Sequence, residues 1–227
     1  RERAFRMPKT VAPRIHVLLA RDASTALVLR HGPHKHWRFV WWDRATDAFA
    51  SGGEHRGSVF ARRCDLSLDG GQLLLCAERY SNMQEEDERG AWTAITQVPS
   101  LYPQTLISTF DNYHGGGVFL RRLQCWIDFS ERCRVLRDDA PVHWKAVEPV
   151  PRISGGACRR VYTHRLLRDG WRRVEDRPEP GTRPRDIFEK RIAQAGVLRK
   201  QLWNDRNPST QRSHDFDEHV ILDREGG

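Results

Sequence analysis

The stretch from Gly57 to Ala77, GSVFARRCDLSLDGGQLLLCA, constrains this chain more than any other. Val59, Phe60, Cys64 and Leu66 on one side, and Leu73 to Ala77 on the other, suit a pleated, buried surface. Between them Ser67 to Gly71 is a polar cluster with Asp-Gly-Gly at its centre. Glycine at 70 and 71 accepts the positive φ of a tight turn, and Asp69 can bond the backbone that follows it. An antiparallel hairpin is therefore expected over 57–77. Leu73 and Leu75 should share a face, because successive strand residues point to opposite sides.

The rest of the chain repeats that theme. Short runs at 13–20, 26–30, 37–42, 91–98, 118–129, 133–136, 142–147, 158–167 and 171–175 read as strands separated by turn clusters. The segment 81–90 reads as an exposed charged loop, and 101–112 as a strand pair or a crossing loop. Three prolines in 177–184, RPEPGTRP, mark a linker. Beyond it Ile187, Phe188, Ile192, Ala195 and Leu198 recur at helical spacing, with Leu202 one turn on, which predicts an amphipathic helix over 186–203 docked on the β body. The expected organisation is an N-terminal extension (1–12), a β-rich domain (13–176), and a linker, helix and polar tail (177–227). Met7 opens a natural-looking start, so residues 1–6 read as an upstream extension. The expected fold class is mainly β, either propeller-like or an irregular β-sandwich built of antiparallel hairpins, with one C-terminal amphipathic helix.

With 227 residues, 38% hydrophobic content and eight tryptophans, the chain can bury a sizeable core. Its formal charge of +8 raises the question of a polyanion partner, since cations clustered on phosphates release counterions. The arginines, however, are spread along the chain among acidic residues. Cys64, Cys76, Cys125, Cys133 and Cys158 are odd in number and form no C-x-x-C pair, a pattern of small apolar residues in a reducing cytosol rather than of disulfides or zinc. No apolar run approaches the length of a membrane span. The expectation is a cytoplasmic protein with no membrane partner and no cofactor.

Two segments share G-x-V-F-x-R-R, at 57–63 and 116–122, and 155–160 is a weaker echo. Trp-x-x-Val/Ile recurs at Trp37, Trp92, Trp144 and Trp171. Repeated units of this kind mark propellers and arrays, and would place the four tryptophans in corresponding buried positions. The segment Asp65 to Leu75 also resembles the S-P-D-G-x-x-L/I turn of TolB-like and WD40-like β-propeller blades, with Leu68 in place of the usual proline. Trp42-Asp43 followed by Ala45-Thr46 resembles the W-D-x-x-T/S step of such blades. In order, Arg30-His-Gly-Pro33, Trp42-Asp43, Arg63-Cys-Asp-Leu-Ser67 and Asp69-Gly70 are similar to a group of uncharacterised bacterial proteins. The resemblance spans roughly 13–125. It implies a β-rich, propeller-like fold and carries no activity or catalytic residue.

Three features invite chemistry. His31, His34 and His36 are close in sequence, but Gly32-Pro33 makes their segment a turn and Arg30, Lys35 and Arg38 oppose a dication, so no metal site is expected. His214, Asp215, Asp217, Glu218 and His219 suit a solvated tail, lacking any H-E-x-x-H partner motif. The arginine pairs at Arg62/Arg63, Arg121/Arg122 and Arg159/Arg160 are the candidates for anion or nucleic-acid contact, each putting one guanidinium on a given strand face. Pairing with Asp65, Asp128, Asp138 and Glu175, or lying over tryptophan rings, is the favoured use of them. The reading that follows is a non-catalytic scaffold for a protein partner. A nucleic-acid-binding module with an arginine-rich face is the alternative, and a hydrolase with an unrecognised site a further one.

Overall fold

The computed structural model describes residues 13–79, 90–149, 153, 156–174, 185–192, 196–206 and 213–222, with the side chains of 79, 185, 203–206 and 213–222 outside that description. The expected extension at 1–12, the loop at 81–89 and the linker at 177–184 lie outside the described residues. The chain divides into two compact units, 1–162 and 163–227. In chain order the strands of the first are β1 (Arg14–Leu19), β2 (Thr25–His31), β3 (His36–Asp43), β4 (Ala48–Arg56), β5 (Ser58–Val59), β6 (Asp65–Leu66), β7 (Gln72–Arg79), β8 (Gly90–Gln97), β9 (Pro103–Ser108), β10 (Gly117–Arg121), β11 (Gln124–Ile127), β12 (Arg134–Asp138) and β13 (His143–Lys145). Strands dominate and their pairing is antiparallel, except that β13 runs parallel to β11.

The strands of the first unit form three sheets. The first is the meander β1-β2-β3-β4. The second has the order β12-β9-β8-β7-β5, with β6 also on β7, and the third is β10-β11-β13. Leu18, Leu27, Leu29, Trp37, Phe39 and Trp41 of the meander share one core with Leu73, Leu75 and Ala77 of β7. Leu74 points the other way, into a core with Ile95, Ile107, Phe119, Cys125 and Ile127. The second sheet thus lies between the other two, and its apolar runs are covered on both faces.

The hairpin over 57–77 is present, and its turn is where the Asp-Gly-Gly cluster put it. Ser67 and Gln72 close it, the Gly70 N–H donates to the Ser67 carbonyl at 2.9 Å, and Asp69 Oδ1 accepts from the Gly71 N–H at 3.1 Å. Its first arm is not continuous, because a single 3₁₀ turn at Ala61–Arg63 separates β5 from β6. Asp43 closes the next turn in the same manner, accepting from the Ala45 N–H at 3.0 Å and the Thr46 hydroxyl at 2.8 Å. That is the physical content of the W-D-x-x-T step. The long strand expected over 118–129 is instead the hairpin β10-β11.

Two expectations exchange places. Residues 158–167, expected as a strand, belong to the helix α1 (Ala157–Arg168). Its buried Ala157, Val161, Tyr162 and Leu166 fall at helical spacing, which the β-forming run Val-Tyr-Thr concealed. The helix stops in a Schellman arrangement at Gly170: the Trp171 N–H donates to the Leu166 carbonyl at 3.0 Å and the Gly170 N–H to that of Leu167 at 3.1 Å. Conversely, the amphipathic helix expected over 186–203 is a hairpin. The second unit holds the sheet β14 (Arg172–Val174), β15 (Arg185–Ile192), β16 (Gly196–Arg206) and β17 (Ser213–Leu222), in that order. Gly196 has φ of +92°, a conformation no helix interior contains, and the strands on either side of 193–195 pair antiparallel. Phe188 is buried while Ile192 is exposed, and Glu189 lies across from Arg199, their side chains 2.7 Å apart. The polar tail expected at 204–217 is largely strand as well.

The G-x-V-F-x-R-R segments do not share a conformation. The first is a two-residue strand running into a 3₁₀ turn, the second the strand β10 with a shift of register between Phe119 and Arg121, and the third the start of α1. Trp37 is buried on β3, Trp92 and Trp144 are half-buried on β8 and β13, and Trp171 precedes β14. The sequence repeat is therefore not a repeat of structure. Among the described residues the strands form four separate sheets, none of which closes on itself. No helix is long and apolar enough to cross a membrane among them.

Candidate functional site

The 3₁₀ turn at 61–63 carries Arg63 inward, and a cluster of polar groups is built around its guanidinium. Its Nε donates to Cys158 Sγ at 3.0 Å and its Nη1 to the His114 carbonyl at 3.0 Å, while the Phe60 ring lies 4.6 Å away. Gly116 makes room for it: at φ of +80°, a Cβ there would run into the Cβ of Arg63. Desolvation works against the charge on Arg63, but Cys158, Cys76 and Asp128 around it hold its pKa above the usual value. Arg63 is therefore a buried cation at any physiological pH.

Asp128 follows β11 and is only 4% exposed. Its backbone exchanges hydrogen bonds of 2.9 Å with Gly115 and Gly116, which pins the glycine run against it. Its Oδ1 accepts from Arg160 Nη2 at 2.6 Å, and its Oδ2 stands 4.0 Å from His114 Nδ1. Burial pushes its carboxyl up, against the opposing pull of Arg160, His114 and Arg63. Asp128 Oδ2, His114 Nδ1 and Arg160 Nε have no hydrogen-bond partner among the described residues. Three such atoms in one cluster are unusual, because an unpaired buried polar group costs about 1–3 kcal/mol.

Of the six sequence candidates, Arg63 and Arg160 are brought together in this cluster. The guanidinium of Arg62 lies 5.4 Å from the Tyr162 ring centre, and Arg122 donates to Asp69 at 2.8 Å. Arg121 and Arg159 are exposed. His31 stacks on Trp37 at 4.3 Å, His36 pairs with Glu54 at 2.8 Å, and His34 is exposed in the 3₁₀ turn Pro33–Lys35. The side chains of His214, Asp215, Asp217, Glu218 and His219 lie outside the described residues. Sequence reasoning named Asp128 as an acid with which the arginine pairs could pair, as Arg160 does, but it missed His114. No spacing rule joins residues 63, 114, 128 and 158, and the only local signal was the glycine run beside His114.

A second feature is the outer face of the meander. Opposite residues of antiparallel strands share a face, so the register places Ile15, Val17, Val28, Val40, Trp42 and Phe49 on the side away from the core. Ile15 is 62% exposed, Val17 44%, Leu19 50% and Phe49 60%. Trp42 and Phe49 stack with ring centres 5.8 Å apart. Among the described residues β1 is an edge strand, paired only with β2, and its six residues are in unbroken register. Arg14 and Arg30 are exposed at the Ile15 end and have no ion-pair partner among the described residues, whereas the neighbouring Arg38 pairs with Glu54 at 2.9 Å.

No family model, no curated protein and no solved structure matches this chain.

Proposed function

We propose that the chain is a non-catalytic protein-binding scaffold whose β1–β4 meander receives an extended partner segment. The partner carries apolar side chains at alternate positions and acidic residues at its flanks. One observation carries the reading: the edge strand leaves Ile15, Val17 and Leu19 in solvent on a face that continues through the rest of the sheet. Edge strands of this kind are an aggregation liability unless blunted or used, and adding a partner strand is how they are used. Arg14 and Arg30 supply the complementary charge for acidic flanks. The stacked sheets of the first unit support the irregular β-sandwich of antiparallel hairpins over the propeller-like alternative, which loses the repeat it rested on.

The test is titration of isotope-labelled protein with a short acidic-flanked peptide of alternating valine and isoleucine, beside a scrambled peptide and a lysine-flanked one. Amide shifts confined to β1 and its neighbours, seen with the first peptide and lost in Val17→Asp, are expected. Equal binding of all three peptides, or shifts elsewhere, would overturn the proposal. Self-association removed by Val17→Asp would put a second copy on this face instead. Binding of single-stranded oligonucleotides with a steep salt dependence would replace the proposal with the nucleic-acid reading.

A further inference from the structure

The loop joining β9 to β10, residues 109–116, is held at both ends and carries aromatic side chains at its tip. At one end the Thr109 N–H donates to the Ala91 carbonyl at 2.9 Å, and the Thr109 hydroxyl donates to the same carbonyl at 2.8 Å. At the other end the Gly115 N–H donates to the Asp128 carbonyl at 2.9 Å, the Gly116 N–H to Thr93 Oγ1 at 2.7 Å, and Arg63 Nη1 to the His114 carbonyl at 3.0 Å. Between these ends Asp111 Oδ1 accepts from the Tyr113 N–H at 2.9 Å, a bond internal to the tip. Phe110 and Tyr113 are both exposed. Phe110 also holds φ of +55°, a conformation that disfavours any residue bearing a Cβ. The tip is thus a strained segment hung between two fixed ends.

The His114 side chain reaches from this loop back to the body. Its Nδ1 stands 4.0 Å from Oδ2 of the buried Asp128, too far for a hydrogen bond, and neither atom has another partner among the described residues. With the ring proton on Nε2, the deprotonated pair sets two acceptors face to face. One added proton turns both into the ends of a single hydrogen bond, whether it rests on Nδ1 or on Oδ2. Burial of Asp128 favours taking up that proton, against the pull of Arg160, His114 and Arg63. The other charged and titratable groups around the pair are Arg63 on the 3₁₀ turn, Cys76 on β7, Asp111 in the loop, and Cys158 and Arg160 on α1. The two guanidiniums oppose a further positive charge, and the one-third exposure of the His114 ring lets solvent share it.

We propose that His114 and Asp128 form a proton-operated latch on the loop 109–116. Uptake of one proton draws the His114 ring onto the Asp128 carboxyl and fixes the loop tip against the end of β11. Loss of the proton leaves two acceptors facing each other and releases the tip. The movement is small, because the gap has only to shorten to hydrogen-bond length. Gly115 and Gly116, with φ of +93° and +80°, follow His114 directly and give the backbone the freedom to absorb it. The Gly115 N–H already donates to the Asp128 carbonyl, so the side-chain and backbone contacts act on the same residue. What the latch controls is the presentation of Phe110 and Tyr113 to solvent. The outer face of the meander takes no part in it.

The test is amide hydrogen exchange followed by NMR on the full chain from about pH 8 to about pH 5, with the His114 ring nitrogens and the Asp128 carboxyl carbon observed in the same samples. After correction for the intrinsic pH dependence of exchange, protection at Tyr113, His114, Gly115 and Gly116 is expected to rise at least about threefold on acidification. The ring Nδ1 and the carboxyl carbon should shift with the same midpoint. Because Asp128→Asn leaves Arg160 facing a neutral amide and can unfold the chain, His114→Gln is the decisive variant. It keeps a polar side chain and cannot titrate, so the rise should vanish while β7 and β8 stay as protected as in the wild type. Flat protection while the ring titrates, a carboxyl carbon that ignores the ring, or a rise that survives in His114→Gln would overturn the proposal. A parallel rise at the β1 amides would mean that the whole fold is stabilised rather than the loop, and would overturn it too.

Discussion

Two sheets of the first unit are built from similar apolar material and treated differently. In the second sheet, β7 reads Leu-Leu-Leu-Cys-Ala, and both of its faces are buried: Leu73 and Leu75 into one core, Leu74 into the other. In the first sheet, β1 reads Ile-His-Val-Leu-Leu, yet only Leu18 is buried while Ile15, Val17 and Leu19 stand exposed. A strand apolar on both sides is ordinarily an interior strand. The meander has the composition of an interior sheet and the position of a surface one, and that mismatch is what argues for a partner.

The largest expected effect is at the doubly covered strand. Leu74→Ala should cost about 2–5 kcal/mol, read as a lower urea midpoint at unchanged slope, because the gap opens in a core with little freedom to collapse. A loss under about 1 kcal/mol would mean that the second face of β7 is not tightly covered, and the contrast between the sheets would fail. Next comes Arg160→Ala, which leaves a buried carboxylate without its nearest cation and should cost about 3 kcal/mol at neutral pH. The sign with pH follows from the raised Asp128 carboxyl. A carboxyl held up by the fold is best accommodated protonated, so its contribution is most favourable below its unfolded value and is lost as pH rises through the folded one. The deficit of the variant should therefore shrink on acidification, as followed by thermal melts at a series of pH values.

A smaller effect is expected at the hairpin turn. Burial alone would raise the Asp69 carboxyl, but bonds from Ser67, the Gly71 N–H and Arg122 outweigh it and hold it below the ordinary carboxylate value. Its contribution is present above the unfolded value and lost as pH falls through the folded one. Asp69→Asn should accordingly lower the melting temperature slightly at pH 7 and not at all at strongly acid pH. The smallest effect sharpens the comparison most. Val17→Ser should leave stability within about 0.5 kcal/mol, whereas the adjacent Leu18→Ser, on the core face, should cost about 3 kcal/mol. Similar losses at both positions would show that the outer face is structurally engaged and is not a docking surface.

What the amino-acid order determined by itself was local and periodic. The Asp-Gly-Gly turn, the Asp43 turn and the alternation of the meander strands are encoded within a few residues, because turn chemistry and a period of two act at that range. At 158–167 and 186–203 the local signals conflicted, and there the decision was tertiary. Val161-Tyr162-Thr163 favours a strand by propensity, but the burial of Ala157, Val161 and Leu166 selects a helix. Phe188 and Ile192 sit at helical spacing, but antiparallel pairing with β16 selects a strand. The cluster of Arg63, His114, Asp128, Cys158 and Arg160 was beyond any local rule. Its members come from a 3₁₀ turn, a loop, a strand end and a helix start, and only the packed chain, holding a buried guanidinium between them, makes them neighbours.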